Sequence, residues 1–258
     1  MDKNLILVEK KDMIGIITLN RPEKLNTFNV PFARALNDTL QDLDQDEEVR
    51  VIVIQAAGKH FSTGISLPGF KGKSAQELRE FLLLMDEFYH TIPRMQKPVI
   101  ASVQGVAAAN GAGLVFACDL AVAAENARFG TTAINVGLIC LGPAVPLARL
   151  TGRKKTLEMV LTGDIISAQE AERLGLINKV VPPEELEAAT MELAAKIAKK
   201  SPQAVQTGKA GIYRMSEIPY HQALDYMDEM FAALSATEDA QEGIDAFMEK
   251  REPVWKNR

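Results

Sequence analysis

The chain has 258 residues, of which 47% are hydrophobic and 24% charged, a composition typical of a globular protein with one large domain. Its formal net charge is −5 at pH 7 and no stretch interleaves basic with aromatic residues, so we expect no nucleic-acid partner. No apolar run approaches the ~20 residues that cross a bilayer and no signal-peptide pattern is evident, so we expect a cytoplasmic protein without a membrane partner.

Apolar runs in the first part of the chain predict strands. Residues 5–8 and 14–19 predict a hairpin or two adjacent strands, and a helix with an apolar stripe follows near Val30. Residues 51–54 are continuously apolar, which is typical of a strand covered on both faces. The polar, glycine-bounded loop after it, at residues 57–66, lies where open α/β sheets usually bind ligands.

Strands and helices alternate toward the middle of the chain. Residues 75–91 predict one helix, and residues 98–103 and 120–124 predict two more buried strands. Strand–helix–strand order with continuously apolar strands implies right-handed parallel crossovers. Helical periodicity dominates the last part of the sequence. We therefore predict an α/β fold with a mixed-sheet core over residues 1–190 and a helical C-terminal region over residues 191–258.

The stretch from residue 100 to 141 carries the most informative pattern. An apolar strand is followed by Gly-Val-Ala-Ala-Ala-Asn-Gly-Ala-Gly at residues 105–113, which leaves the backbone almost bare. A helix that begins near Gly111 would direct unpaired N–H groups at an anion or at a carbonyl oxygen gaining negative charge. Together with the N–H groups after Gly64, these N–H groups would form an oxyanion hole. Each donor in such a site stabilises the transition state by about 2.7–4 kcal/mol. The alternative is that each glycine only turns the chain.

Other kinds of site find little support. His60, His90 and His221 lack a second ligand at helical spacing, so we predict no metal site. Ser62 lies outside a Gly-x-Ser-x-Gly elbow, so no serine nucleophile is predicted. Asp119 borders a strand and is predicted to be a cap and not an acid.

Short motifs in a fixed order extend over nearly the whole chain. They are Asn20-Arg21-Pro22, Leu25-Asn26, Gly58-Lys59, Phe61-Ser62-Thr63-Gly64, Lys97-Pro98-Val99-Ile100-Ala101, Gly105, Gly111, Cys118-Asp119, Phe129-Gly130, Gly137-Leu138, Leu161-Thr162-Gly163-Asp164, Gly175-Leu176-Ile177 and Phe247 with Glu249-Lys250-Arg251. By these motifs the chain resembles the crotonase, or enoyl-CoA hydratase/isomerase, superfamily. The resemblance implies a crotonase-like spiral of β-β-α units with a C-terminal helical trimerisation region.

The resemblance also implies a substrate, an assembly and a site. The substrate would be an acyl-CoA thioester, with no cofactor beyond its CoA moiety, and the protein would be a homotrimer or a dimer of trimers. The backbone N–H groups of Ile65 and Asn110 would hold the thioester oxygen. The CoA would contact Lys24, Leu25, Ser62, Gly64 and Gly111, and also Phe231, Phe247 and Lys250 of the C-terminal region, supplied in one arrangement by a neighbouring subunit.

The chain departs from the family where hydration chemistry would occur. Hydratases of the superfamily use two glutamates, and the matching positions are Gly113 and Ala133. The oxyanion position is normally glycine but is Asn110 here, and asparagine tolerates unusual backbone angles. Because acid–base groups are typically worth about 10²- to 10⁴-fold in rate, we expect little hydration of the usual kind. The double change Gly113→Glu and Ala133→Glu should introduce some hydratase activity.

Two hypotheses follow for an enoyl-CoA hydratase/isomerase-like protein that binds acyl-CoA. In the first, other groups run a different reaction, with Asn135 and Cys140 as catalytic candidates beside Thr132, Ser66 and His60. In the second, the protein binds CoA thioesters or acts as a scaffold without catalysis. Residues 135–140 and Pro253-Val254-Trp255 resemble the enoyl-CoA hydratase domain-containing proteins, a subgroup that lacks the usual glutamates. The apolar surroundings of Cys118 and Cys140 are also typical of buried, inert thiols.

Overall fold

The computed structural model describes residues 5–258, and within that range the strands form two sheets. The strands are β1 (Ile6–Lys11), β2 (Ile14–Leu19), β3 (Val51–Ala56), β4 (Val99–Val103), β5 (Val106–Ala108), β6 (Leu120–Ala124), β7 (Arg128–Gly130), β8 (Ile165–Ser167) and β9 (Lys179–Val181). The larger sheet has the order β1-β2-β3-β4-β6-β9, and all neighbours are parallel except β1 and β2. The smaller sheet has the order β5-β7-β8, with β5 parallel and β8 antiparallel to β7.

Helices dominate the second half of the chain, as predicted. They are α1 (Val30–Gln45), α2 (Ala75–Met85), α3 (Phe88–Arg94), α4 (Asn110–Ala117), α5 (Leu141–Thr151), α6 (Arg153–Thr162), α7 (Ala168–Arg173), α8 (Leu186–Ala198), α9 (Pro202–Met215), α10 (Tyr220–Ser235) and α11 (Glu238–Glu249). Short 3₁₀ turns lie at Pro22–Lys24, Leu67–Phe70, Thr132–Val136 and Pro183–Glu185. Among the helices of residues 5–258, none is long and apolar enough to cross a membrane.

The continuous apolar runs correspond to strands buried on both faces. In β2, Ile17 belongs to the main core with α1 and α4, whereas Ile16 packs on the opposite face of the sheet with α8. In β3, Ile52 and Val53 divide in the same way, because successive strand residues point to opposite faces. The boundary predicted at residue 190 falls inside α8, which covers one face of the larger sheet.

The predicted single helix over residues 75–91 is wrong, because the chain breaks between α2 and α3. The side-chain amide of Asn110 donates to the carbonyl oxygen of Met85 at 3.2 Å and to Oδ1 of Asp86 at 2.9 Å. The N–H of Tyr89, which would bond to Met85 in an unbroken helix, donates to the carbonyl oxygen of Asp86 at 3.0 Å. A contact from α4 therefore ends α2, and local periodicity carries no sign of it.

A buried ion pair fixes α9 to the larger sheet. Asp119 accepts the N–H of Val99 at 2.7 Å, as expected of a cap, but also the ammonium of Lys209 at 2.7 Å and the hydroxyl of Tyr213 at 2.8 Å. Lys209 also donates to the carbonyl oxygen of Lys97 at 2.9 Å. The C-terminal helices are thus anchored to the core through α9.

Candidate functional site

Two backbone segments meet beside the start of α4. The loop after β3 runs along β5, where the N–H of Ser62 donates to Val106 at 3.2 Å and the N–H of Ala108 donates to Ser62 at 2.9 Å. A Cβ added to Gly64 would lie 3.4 Å from the backbone nitrogen of Asn110. The backbone after Gly64 and the first N–H groups of α4 are therefore neighbours, as the sequence predicted.

Two backbone donors at this meeting point are free. Ile65 lies opposite Phe28 in an isolated β-bridge, whose hydrogen bonds join Phe28 to Gly64 and to Ser66. The N–H of Ile65 therefore points away from Phe28 and has no acceptor within residues 5–258. Asn110 opens α4, so its N–H has no carbonyl one turn earlier to bond. We call the backbone N–H groups of Ile65 and Asn110 the donor pair. Two such donors from adjacent segments can hold one negatively charged oxygen.

The turn into α4 has a strained backbone. Ala109 adopts φ 49° and ψ −123°, which is unfavourable for a residue with a Cβ and costs of the order of 1–3 kcal/mol. Its N–H donates to the carbonyl oxygen of Gly130 at 2.8 Å, which ties the turn to β7. A side chain at Gly64, whose φ is +99°, would come within 2.7 Å of the Ala109 Cβ. The bare backbone at Gly64 is thus a packing requirement of the donor pair.

Several predicted CoA-binding residues lie together. A Cβ on Gly111 would overlap the carbonyl oxygen of Ser62, so these segments are in direct contact. The N–H of Thr63 donates to Leu25 at 3.1 Å, and Lys24 precedes Leu25 at the end of a 3₁₀ turn. Lys24, Leu25, Ser62, Gly64 and Gly111 therefore belong to one group of neighbouring segments.

The C-terminal residues predicted to contact CoA are uncovered within one chain. Phe231 on α10 and Phe247 on α11 are 70% and 82% exposed. Lys250 ends α11 with a left-handed φ of 56°. Helix α10 packs against α9 and α11. The two aromatic rings therefore lack the apolar cover that side chains of their size usually have.

A tyrosine hydroxyl fills the space beside Gly113, one of the two positions at which the family resemblance leads us to expect a glutamate in hydratases. A Cβ on Gly113 would overlap Oη of Tyr89 and lie 3.1 Å from Pro143. That hydroxyl is buried and has no hydrogen-bond partner within the described chain. Burial raises the pKa of Tyr89 well above its usual value, and the nearby Asp86 and Cys140 add to the shift. The phenol is therefore a neutral, unpaired donor.

A carboxylate, that of Asp86, lies near that hydroxyl and against the side chain of Asn110. Oδ1 of Asp86 accepts the side-chain amide of Asn110 at 2.9 Å, and a Cβ on Gly142 would lie 2.7 Å from Oδ2. Burial raises the pKa of Asp86, and the hydrogen bond from Asn110 partly opposes the shift. Sequence reasoning missed both Asp86 and Tyr89. An acid and a phenol three residues apart in a predicted helix are too common to be a signal.

The two side chains proposed from the sequence as catalytic differ in their surroundings. Cys140 is buried, and burial raises the pKa of its thiol, although a hydrogen bond with the backbone of Ala133 opposes the shift. Asn135 is exposed, and its side-chain amide lies against Gly163, where an added Cβ would be 3.0 Å from both Nδ2 and Oδ1. The structure therefore groups Cys140, but not Asn135, with Asp86.

The remaining candidates and cavities add no second site. Nδ1 of His60 accepts the N–H of Val106 at 3.1 Å, a bond that holds the loop against β5. In residues 5–258 no three His, Cys, Asp or Glu side chains are grouped so as to hold a metal ion. Two surface cavities of about 430 Å³ each are lined by other residues than the donor pair.

Comparisons with known proteins find similar sequences and structures over nearly the whole chain. A family described as Enoyl-CoA hydratase/isomerase matches residues 9–258. Enoyl-CoA hydratase domain-containing protein 3, mitochondrial, of Mus musculus is 37% identical over 99% of this chain and 86% of its own length. Short-chain-enoyl-CoA hydratase of Clostridium acetobutylicum is 33% identical over the full length of both. The crystal structure of human enoyl Coenzyme A hydratase domain-containing protein 3 has a TM-score of 0.94 and 38% identity, covering 98% of this chain and 100% of that one.

Proposed function

This chain belongs to the enoyl-CoA hydratase/isomerase family and has the crotonase fold, and from that premise we propose that it binds an acyl-CoA thioester and stabilises the thioester enolate. The predicted family and fold class are thereby confirmed. The observation that supports the function is the donor pair, in which two unpaired N–H groups from separate segments lie side by side at the start of α4.

The chemistry of a thioester explains why such donors matter. A hydrogen on C2 becomes removable, or C3 open to attack by water, only when negative charge on the thioester oxygen is stabilised. Each donor stabilises the transition state by about 2.7–4 kcal/mol in comparable sites, and the dipole of α4 would add to this stabilisation. The CoA moiety would lie along Lys24, Leu25 and the Ser62 to Gly64 segment.

The reaction would differ from ordinary hydration. By the resemblance, Gly113 and Ala133 would stand at the positions of the two hydratase glutamates, and neither side chain is an acid or a base. We therefore propose an enoyl-CoA hydratase/isomerase-like protein with an atypical acid–base group. The same two residues support the second candidate, a protein that binds or scaffolds CoA thioesters without turning them over.

We also propose that the chain associates with copies of itself as a trimer or a dimer of trimers. Large apolar side chains are exposed on four helices and the C-terminal tail: Leu141, Val145, Leu157, Leu161, Tyr220, Leu224, Phe231, Ile244, Phe247, Met248 and Val254. Exposed apolar surface of this kind marks interaction sites in soluble proteins. Covering by a second copy would bring Phe231, Phe247 and Lys250 to a neighbour's CoA site. Light scattering of the purified chain tests this, and a monomeric mass contradicts it.

One pair of measurements tests the binding and the reaction. Crotonyl-CoA is titrated into the protein by calorimetry, and the absorbance of its conjugated thioester is then followed with the same sample. We expect binding together with slow or absent hydration. Binding without turnover across a panel of saturated, 2-enoyl and 3-enoyl thioesters would contradict an enzymatic role, and absence of any binding would contradict both candidate functions.

A further inference from the structure

Asp86 is bound by Asn110, the residue that also supplies one backbone N–H of the donor pair. The side-chain amide of Asn110 donates to Oδ1 of Asp86 at 2.9 Å, while the backbone N–H of Asn110 is free. Because Nδ2 of an asparagine lies within about 5 Å of its own backbone nitrogen, Oδ1 of Asp86 lies within about 8 Å of the Asn110 backbone nitrogen. The C2 atom of a thioester is two bonds from the oxygen that the N–H would bind, so C2 would lie in the same neighbourhood as the carboxyl group.

The second carboxyl oxygen is available for chemistry. Oδ2 of Asp86 faces Gly142 and accepts no hydrogen bond from the part of the chain that the structure describes. Asp86 is half-buried and takes part in none of the salt bridges of residues 5–258. A carboxylate that has lost water without gaining a salt bridge is a stronger base than one at the surface, and this effect of burial exceeds the opposing effects of the Asn110 hydrogen bond and the nearby His90 on the pKa of Asp86. The raised pKa of Asp86 is consistent with these surroundings.

The neighbourhood of Asp86 coincides with the positions where the family's glutamates are missing. Oη of Tyr89 fills the space beside Gly113, and Asp86 is close enough to Cys140 to raise the pKa of its thiol together with burial. The unpaired hydroxyl of Tyr89 needs a partner that these residues do not supply, which points to a polar group of a bound molecule. The carboxyl group of Asp86 therefore lies near the space that, by the resemblance, two carboxylates would share in hydratases.

From this geometry, and resting on the proposed function, we infer that Asp86 is the group that transfers protons to and from C2 of the bound thioester. The C2–H bond breaks, the proton passes to Oδ2 of Asp86, and the electron pair forms the enolate whose oxygen binds the donor pair. Return of the proton to C2 restores the thioester. Return to C4 of a 3-enoyl thioester moves the double bond from C3 to C2. No water is consumed, so one carboxyl group suffices.

This role predicts the class of reaction. Addition of water to an enoyl thioester requires activation of the water molecule and delivery of a proton to carbon. By the resemblance, hydratases of the family divide these two tasks between two carboxylates. A single carboxyl is matched to proton exchange or double-bond migration, where one group both removes a proton from carbon and returns a proton to carbon. The substrates would be acyl-CoA thioesters with an acidic C2 hydrogen, 3-enoyl thioesters among them.

The alternative is that Asp86 and Asn110 only terminate α2. The substitution Asp86→Asn separates the two roles, because an asparagine oxygen still accepts the Asn110 amide but cannot take a proton. Asp86→Glu restores a carboxyl group at the cost of one extra methylene. Glu87→Gln is the matched control, since Glu87 is adjacent in sequence and lines a surface cavity away from the donor pair.

Exchange of C2 hydrogens tests the inference directly. Full-length protein is incubated with butyryl-CoA in D₂O, and deuterium at C2 is measured by mass spectrometry, with binding measured by calorimetry. We expect exchange by the wild type and by Glu87→Gln, a fall of about 100-fold or more for Asp86→Asn with unchanged affinity, and partial recovery for Asp86→Glu. Binding without exchange by the wild type, or equal exchange by Asp86→Asn, would overturn the inference alone. Failure of the wild type to bind would instead overturn the proposed function.

Discussion

The side-chain amide of Asn110 donates to Oδ1 of Asp86 at 2.9 Å, so one residue directs two donors at neighbouring groups. Its backbone N–H is free for a ligand oxygen, and its side chain holds a carboxyl group and ends α2. A glycine at this position, as the family resemblance implies, would supply only the first of these donors. The asparagine is therefore coupled to the break between α2 and α3.

Replacing Asn110 by glycine should separate binding from proton transfer. The backbone donor remains, so we expect CoA-thioester affinity to be kept. The buried Met85 carbonyl loses its partner, which should lower the free energy of unfolding by about 1–3 kcal/mol. Exchange at C2 should fall because Asp86 is no longer held. Urea unfolding, calorimetry and the deuterium assay measure these effects, and exchange at the wild-type rate would contradict the coupling.

A pair of glycine substitutions tests the donor pair. Gly64→Ala adds a methyl group 2.7 Å from Ala109 and 3.4 Å from the Asn110 nitrogen, so we expect loss of thioester binding. Gly72→Ala is the control, because Gly72 also has a positive φ but no atom within 4 Å of its added Cβ. Both changes strain the backbone. Calorimetry with butyryl-CoA should therefore distinguish them, and equal affinities would count against the site.

Restoring hydratase glutamates requires removal of a tyrosine. The double change Gly113→Glu and Ala133→Glu was expected from the sequence to introduce hydration, but a side chain at Gly113 would overlap Oη of Tyr89. Overpacking of this kind typically costs about 1–3 kcal/mol. We expect the double variant to be destabilised and inactive, and addition of Tyr89→Ala to restore stability and permit crotonyl-CoA hydration. A folded triple variant with no loss of crotonyl absorbance would contradict this placement.

The carboxyl of Asp86 should make stability depend on pH. Burial raises its pKa in the folded chain above the ordinary value of 3.8, so the folded state holds the proton more tightly than the unfolded state. Stability therefore falls as pH rises from the unfolded pKa through the folded pKa, and the deficit persists at neutral pH. Asp86→Asn should match the wild type in urea at about pH 3 and be more stable at pH 7. Identical midpoints at both pH values would contradict a raised pKa.

The buried pair of Asp119 and Lys209 should matter more than a surface pair. Their side chains are 12% and 6% exposed, so Asp119→Ala leaves an uncompensated ammonium and should cost about 3–5 kcal/mol in urea unfolding. Glu238→Gln is the comparison, because Glu238 and Lys256 are 55% and 57% exposed, and should cost less than about 1 kcal/mol. Similar losses for the two variants would show that Asp119 does not anchor α9.

The parts of the protein that could be predicted are those encoded locally. Continuous apolar residues at 51–54 predicted a strand covered on both faces, and glycine with small residues around Gly64 and Asn110 predicted exposed backbone donors. The smaller sheet was missed because three-residue strands are too short to show a period.

The groups that could not be predicted depend on contacts between distant segments. Asp86 and Tyr89 lie 24 and 21 residues before Asn110, within a stretch whose periodicity indicates one uninterrupted helix. Only the packing of α3 against α4 reveals that a side chain from one helix ends another and that a phenol occupies the space beside Gly113.

The strained backbone at Ala109 has a consequence for how the donor pair works. The backbone angles of Ala109, φ 49° and ψ −123°, set the direction of the Asn110 N–H, and the bond from the Ala109 N–H to Gly130 helps to hold them. On the proposed function, the reorganisation that binding requires would be completed during folding, and the donor pair would not have to rearrange as negative charge develops.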